Sequence, residues 1–149
     1  MGKKQRDKGK RGEYELERLL QKFGFEAWRG SKAQAGGDIK LPDVVLTNGN
    51  YTISVEVKRR KRVGMNDVMG GYEQAIEGAA GMIVAGMAEP PVGYVVAHRS
   101  DRSEWFVTMD MDSFVSLLSG KRFGVVGVLD TETNTAYGKV EALDEEDNG

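Results

Sequence analysis

Residues 43–58, DVVLTNGNYTISVEVK, constrain the fold of this chain more than any other segment. Two β-rich runs flank Asn48-Gly49-Asn50, a composition that favours a tight turn and therefore an antiparallel hairpin. In the second run Tyr51, Ile53, Val55 and Val57 alternate with Thr52, Ser54, Glu56 and Lys58. Successive strand side chains point to opposite faces, so the apolar set enters a core and the polar set lines a shared exposed or cleft face. Glu56 and Lys58 then emerge together, and the hairpin returns Asp43 opposite Glu56 or within a residue or two of it.

Around this hairpin the periodicity predicts a mixed α/β domain. Leu16, Leu19, Leu20 and Phe23 follow helical spacing over 13–23, with Gly24 as the cap and Glu13 beside the apolar stripe while Tyr14 points away. A short strand over 25–29 leads into a Gly- and Lys-rich loop. Asn66 or Asp67 is expected to cap a helix carrying Val68, Met69, Tyr72, Ile76, Ala79 and Ala80 inward, although four glycines weaken it. Strands follow over 94–98 and 105–109, then a helix capped by Asp112 with Phe114, Val115, Leu117 and Leu118. A last hairpin pairs 123–129 with 136–140. Residues 1–11 read as a flexible basic arm, 12–140 as one domain and 141–149 as an acidic, frayed tail.

Composition narrows the chemistry. Cysteine is absent, which excludes disulfide scaffolds, thiol catalysis and Cys-held metals, and fits a reducing cytoplasm. A single histidine, His98, excludes a multi-His zinc site within one chain and reads as a satisfied core or edge residue. No apolar run approaches the roughly 20 residues of a membrane helix, so neither a membrane protein nor a secreted precursor is expected. The net charge of −2 hides a division: residues 1–62 carry 16 Lys/Arg against 8 Asp/Glu, and the remainder 5 against 15. Such asymmetry suggests a nucleic-acid-facing first part.

The acidic constellation sits inside that positive stretch. Glu13, Asp43, Glu56 and Lys58 stand out, and the two carboxylates that the hairpin draws together, Asp43 and Glu56, repel each other in a cleft unless a cation intervenes. Mg²⁺ suits an oxygen-only site that retains waters, with Mn²⁺ able to substitute, and no organic cofactor is called for. Lys58 beside it could orient the attacking water or offset charge on a phosphate. Together these groups match the route to phosphodiester hydrolysis. An isolated Glu-x-Lys on a strand is usually a surface ion pair; the ordered set is far less common. Tyr72-Glu73-Gln74 could contribute a glutamine to the site, with packing as the preferred reading.

With these residues in place, the sequence resembles the PD-(D/E)xK nuclease superfamily through Pro42-Asp43 and Glu56-Val57-Lys58. More narrowly it resembles the archaeal-type Holliday junction resolvases and their phage relatives, whose opening motif is matched by Lys8-Gly9-x-x-x-Glu13, followed by GFEAWRGS. The resemblance is clear over residues 8–62. It implies a restriction-endonuclease-like core, a central mixed β-sheet flanked by helices. It also implies Asp43, Glu56 and the Val57 carbonyl as metal ligands, Glu13 completing the acidic site and Lys58 serving the water. Ser31 is the one serine in the Arg29–Asp43 loop, where the family has a functional serine, and it does not clearly fall at that position.

The function so implied is Mg²⁺-dependent cleavage of DNA four-way junctions in the cytoplasm, a host's if the protein is viral. A less selective nuclease acting on flaps or nicks is the alternative, and a non-catalytic DNA-binding module the more distant one. Branched DNA would be gripped by Lys8, Lys10, Arg11, Arg29, Ser31, Lys32, Arg59, Arg60, Lys61 and Arg62, chiefly through phosphates. Resolving a junction takes two opposed nicks while the chain carries its motif once, so a C2 homodimer is expected. Met65, Val68, Met69 and Tyr72, or the surroundings of Phe114 and Leu118, could supply the interface.

Overall fold

The computed structural model describes residues 2–30, 39–49, 51–128 and 137–143. Its elements, in chain order, are α1 (Lys3–Lys22), β1 (Glu26–Arg29), β2 (Val44–Asn48), β3 (Tyr51–Arg60), α2 (Met65–Val84), β4 (Gly93–Ser100), β5 (Phe106–Thr108), α3 (Met111–Leu118), β6 (Arg122–Val128) and β7 (Tyr137–Leu143). Strands β1 to β5 form one sheet in sequence order, and β6 pairs with β7 in a second. Only the β3–β4 pairing in the main sheet is parallel, with α2 as the crossover between them. A mixed sheet flanked by helices was the expectation, and it is what forms.

The alternation in β3 places the two large helices on opposite faces. Gly12 of α1 lies so close to β3 that an added Cβ would run into the Arg59 stem, with Val57 beside it. Gly71 of α2 lies against Lys58 and Val96 instead, and Gly78 against Ser54. Val55, Val57 and Arg59 therefore face α1, while Ser54, Glu56 and Lys58 face α2. The α1 side carries a core of Leu16, Ala27, Val44, Val55, Val57 and Ala97. On the α2 side Ala75, Ile76, Ala79 and Ala80 pack on Val92, Tyr94, Phe123 and Val125.

Gly71, Gly78 and Gly81 are thus the condition for the close approach of α2, and the helix runs unbroken through all of its glycines. At Gly81 a Cβ would occupy the position of the Lys40 carbonyl oxygen. This close packing roofs the polar face of β3, so that Ser54 and Glu56 are buried instead of exposed. Ser54 Oγ donates to the Ala75 carbonyl at 2.8 Å.

Several local expectations need correction. Helix α1 begins at Lys3, so residues 3–11 are helical and not a free arm. Lys, Gln and Arg are good helix formers, and Lys8 Nζ is tied to Asp101 at 2.9 Å. Gly64, not Asn66 or Asp67, is the N-cap of α2; Asp67 accepts from the Gly64 N–H at 2.9 Å. Asp110, not Asp112, caps α3 through the Ser113 N–H at 2.7 Å. Phe23 and Met69, expected inward, are exposed. Gly24 does terminate α1, with a positive φ and its N–H on the Gln21 carbonyl. Strand β7 extends to Leu143, so the start of the expected tail is paired; 144–149 lie outside the described residues.

Candidate active site

Strand β3 is twice the length of β2, and the site forms where β2 stops. Val44 pairs with Val55, so residues 56–60 of β3 run on without a backbone partner on that side. The Val57 N–H is satisfied by the Asp43 carboxylate, 3.0 Å away. Within a strand the N–H and C=O of one residue leave on the same side, so the Val57 carbonyl also faces the Asp43 side. Pro42, buried beneath Gly78 of α2 and against Gly30, fixes the backbone just before Asp43. The hairpin geometry expected from sequence is realised: Asp43 lies opposite Glu56.

Three carboxylates meet around Asp43. Glu56 is 4 % exposed, and its Oε2 is buried without a hydrogen-bond partner among the described residues. Burial drives its pKa well above the ordinary carboxylate range, and the Asp43 charge pushes it further, with Lys40 and Lys58 opposing. Glu13 approaches from α1, one turn before Leu16. Its pKa rises to about 7, first from burial and then from Asp43, while Arg29 and Lys10 hold it down. Among the described residues, no three acidic or histidine side chains are already set at metal-ligating spacing. What the structure assembles is a carboxylate cluster whose members destabilise one another's charge.

Lys58 is held by a residue that reading the sequence assigned to packing. Its Nζ donates to Gln74 Oε1 at 2.7 Å, while its stem lies against Gly71. Gln74 is therefore part of the site. Its signal in the sequence was only its place on the helix after the Glu-x-Lys strand, because the crossover that sets α2 over Lys58 is a tertiary fact. Lys40, which acts on Glu56 and pairs with Glu77 at 3.7 Å, was missed as well.

The basic residues divide into two groups. Lys8 and Arg59 share Asp101, at 2.9 and 2.6 Å, and Arg59 and Arg99 share Glu15, at 3.8 and 2.8 Å. Arg60 pairs with Asp67 at 2.9 Å, and Arg29 with Glu17 at 3.7 Å. Lys10, Arg11, Lys61 and Arg62 are exposed and make no ion pair among the described residues. Gly2, Lys4, Lys8, Arg59, Arg60 and Lys61 line one open groove between α1 and the end of β3. Ser31 and Lys32 lie outside the described residues. His98 is satisfied, as expected, but half-buried on an interior strand: its Nε2 meets Thr108 Oγ1 at 2.9 Å and its ring stacks on Phe106. Among the described residues, no helix is long and apolar enough to cross a membrane.

No curated protein matches the chain. The solved structure of Hjc, a Holliday junction resolvase from the archaeal hyperthermophile Archaeoglobus fulgidus, is 22 % identical, the match covering 95 % of this chain and 94 % of that one with a TM-score of 0.43. Residues 4–69, the segment that carries Glu13, Asp43, Glu56 and Lys58, match the family model of the archaeal Holliday junction resolvases (Hjc).

Proposed function

We propose that the protein is a Mg²⁺-dependent endonuclease that cuts DNA four-way junctions by phosphodiester hydrolysis. The observation that carries this reading is the Asp43–Glu56 pair: a buried carboxylate with an orphaned oxygen, pressed against a second carboxylate at the open end of a strand. Such a pair costs stability for as long as no cation lies between its members. A hard divalent ion accepts oxygen ligands of this kind, so the donor set fits Mg²⁺, with Mn²⁺ as a substitute. Asp43, Glu56 and the Val57 carbonyl would hold it, and Glu13 would complete the acidic shell. When bound, the ion supplies Lewis-acid polarisation and activation of water.

The chain's own groups do the rest. Lys58, steered by Gln74, can orient the attacking water or offset charge on the phosphate, and its partial burial strengthens either effect. Lys10, Arg11, Lys61 and Arg62 offer unpaired cations to phosphates, while the ion-paired Lys8, Arg59 and Arg60 hold the groove in shape. The match of residues 4–69 to the Hjc family favours a branched substrate over linear duplex.

Two opposed nicks need two sites, and we extend the proposal to a C2 homodimer. Of the interface residues considered from sequence, Val68 is buried and Tyr72 half-buried, with its hydroxyl on Asp110. Met65, Met69, Phe106, Met111, Phe114 and Leu118 are all exposed. The Tyr72–Asp110 bond joins α2 to the start of α3, and a second copy is the occupant proposed for these exposed apolar side chains. The protein would work in the cytoplasm.

The test is cleavage of a labelled synthetic four-way junction against linear duplex of the same sequence, with Mg²⁺ and with EDTA. Paired cuts in the junction alone, and only with Mg²⁺, are expected. Equal cutting of both substrates would favour the less selective nuclease, and cutting in EDTA would remove the metal from the reading.

A further inference from the structure

Arg29 ends β1 in register with Val44, beside Asp43, and faces α1. Its guanidinium carbon lies 3.9 Å from the centroid of the Tyr14 ring, and its Nε lies 3.7 Å from Glu17 Oε1. Tyr14 and Glu17 are three apart on α1, hence neighbours on its surface. Glu17 is buried, the Arg29 side chain is 16 % exposed and Tyr14 is exposed, with the Arg18 guanidinium carbon farther from its ring, at 5.7 Å. Arg29 Nε is buried with no hydrogen-bond acceptor among the described residues. Stacking and charge therefore hold this guanidinium, and among the described residues no hydrogen bond at Nε fixes its plane. A ring face suits such a role, because it attracts the cation and sets the plane yet leaves the N–H groups of the fork available.

We infer that Tyr14 is a positioning residue, whose ring presents the Arg29 guanidinium to a DNA phosphate at the Glu13–Asp43 end of the site. The inference rests on the nuclease reading for its substrate and on the stacking geometry for its mechanism. A planar fork recognises a phosphate best when its orientation is settled beforehand, because less rotamer freedom is then lost on binding. Periodicity alone assigns Tyr14 no role, since it lies off the apolar stripe of α1.

Four proteins test the pairing: Tyr14→Phe, Tyr14→Leu, Arg29→Ala and the Tyr14→Leu/Arg29→Ala double variant. The Kd for a four-way junction in EDTA and the KM and kcat for its cleavage in Mg²⁺ are measured for each. Tyr14→Phe keeps the ring face and should match wild type. Tyr14→Leu should weaken Kd and raise KM by roughly 3- to 10-fold, as expected when one cation–π interaction is removed, with kcat little changed. The double variant should be no worse than Arg29→Ala alone, because Tyr14 acts only through Arg29. Upfield-shifted Arg29 side-chain proton signals should be present in wild type and Tyr14→Phe and absent in Tyr14→Leu. Wild-type Kd and KM in Tyr14→Leu, or penalties that multiply in the double variant, overturn the inference. Should the wild type bind junctions without cleaving them, the nuclease reading fails, while the Kd cycle still decides the role of Tyr14.

Discussion

Glu56→Gln should stabilise the metal-free protein and abolish its cleavage. Glu56 is 4 % exposed, its Oε2 has no partner among the described residues, and Asp43 faces it across the end of β2. Leaving a buried polar group unpaired costs ~1–3 kcal/mol, and more when it is charged. Glutamine has the same shape, removes the charge and places an amide donor where Asp43 can accept it. A gain of about 2 kcal/mol at pH 8 is the expected size, or roughly 4–8 °C in Tm for a chain of this length.

The pH dependence has a fixed sign. The Glu56 pKa in the folded protein is raised above its ordinary 4.5, so this group favours folding fully only below that value. Its contribution is lost as pH climbs through the raised pKa. The gap between variant and wild type should therefore be wide at pH 8 and close toward pH 5. Mg²⁺ should narrow the gap at pH 8 by stabilising wild type alone, by about 1.4 kcal/mol at ten times its Kd. Thermal melts at both pH values, in EDTA and in Mg²⁺, measure every part of this. A variant that melts at or below the wild-type temperature at pH 8 in EDTA would refute the reasoning, because Glu56 would then be a satisfied structural carboxylate.

Gln74→Ala should lower kcat by about tenfold, a usual cost of removing a partner that orients a functional group, and leave the Kd for DNA unchanged. Lys61→Ala/Arg62→Ala should flatten the plot of log affinity against log salt by up to about 1.8, roughly 0.9 for each phosphate no longer neutralised, without changing sequence preference. Asp43→Asn should abolish cleavage yet leave junction binding intact or tighter. Mixed with wild-type chains on a cruciform plasmid it should give open circles instead of linear product; a monomer in sedimentation that still makes paired cuts would exclude the dimer.

The parts of this molecule legible in its sequence are those fixed by neighbours along the chain. The alternation over 51–58 set the faces of β3, and the short connection after Asn48 set the register that brings Asp43 to Glu56. Gly24 marked the end of α1 for the same reason, because its positive φ is a local need. What escaped depends on distant partners. Lys8 meets Asp101 across 93 positions, and that ion pair helps turn an expected arm into the first turns of a helix. The glycines of α2 count against a helix by propensity, yet Gly71, Gly78 and Gly81 let it approach the sheet closely enough to bury Glu56 and to set Gln74 on Lys58. Propensity describes a helix in water, whereas Gly71 lies against strand side chains and Gly78 and Gly81 against loop backbone.

The site and the irregularity of the sheet are one feature. Had β2 continued past Val44, its backbone would have taken the Val57 N–H, and Asp43 would have no reason to reach across. Because β2 stops there, a side chain completes the ladder, and the carboxylate that does so becomes the charge felt by both Glu56 and Glu13. Burial under α2 then removes the water that would have screened the repulsion. Each step costs stability, and all three costs fall on one point beside Lys58. A fold selected for stability alone would extend β2 or replace Glu56 with an apolar residue; keeping both irregularities at one place is what the proposed cation site asks of the fold.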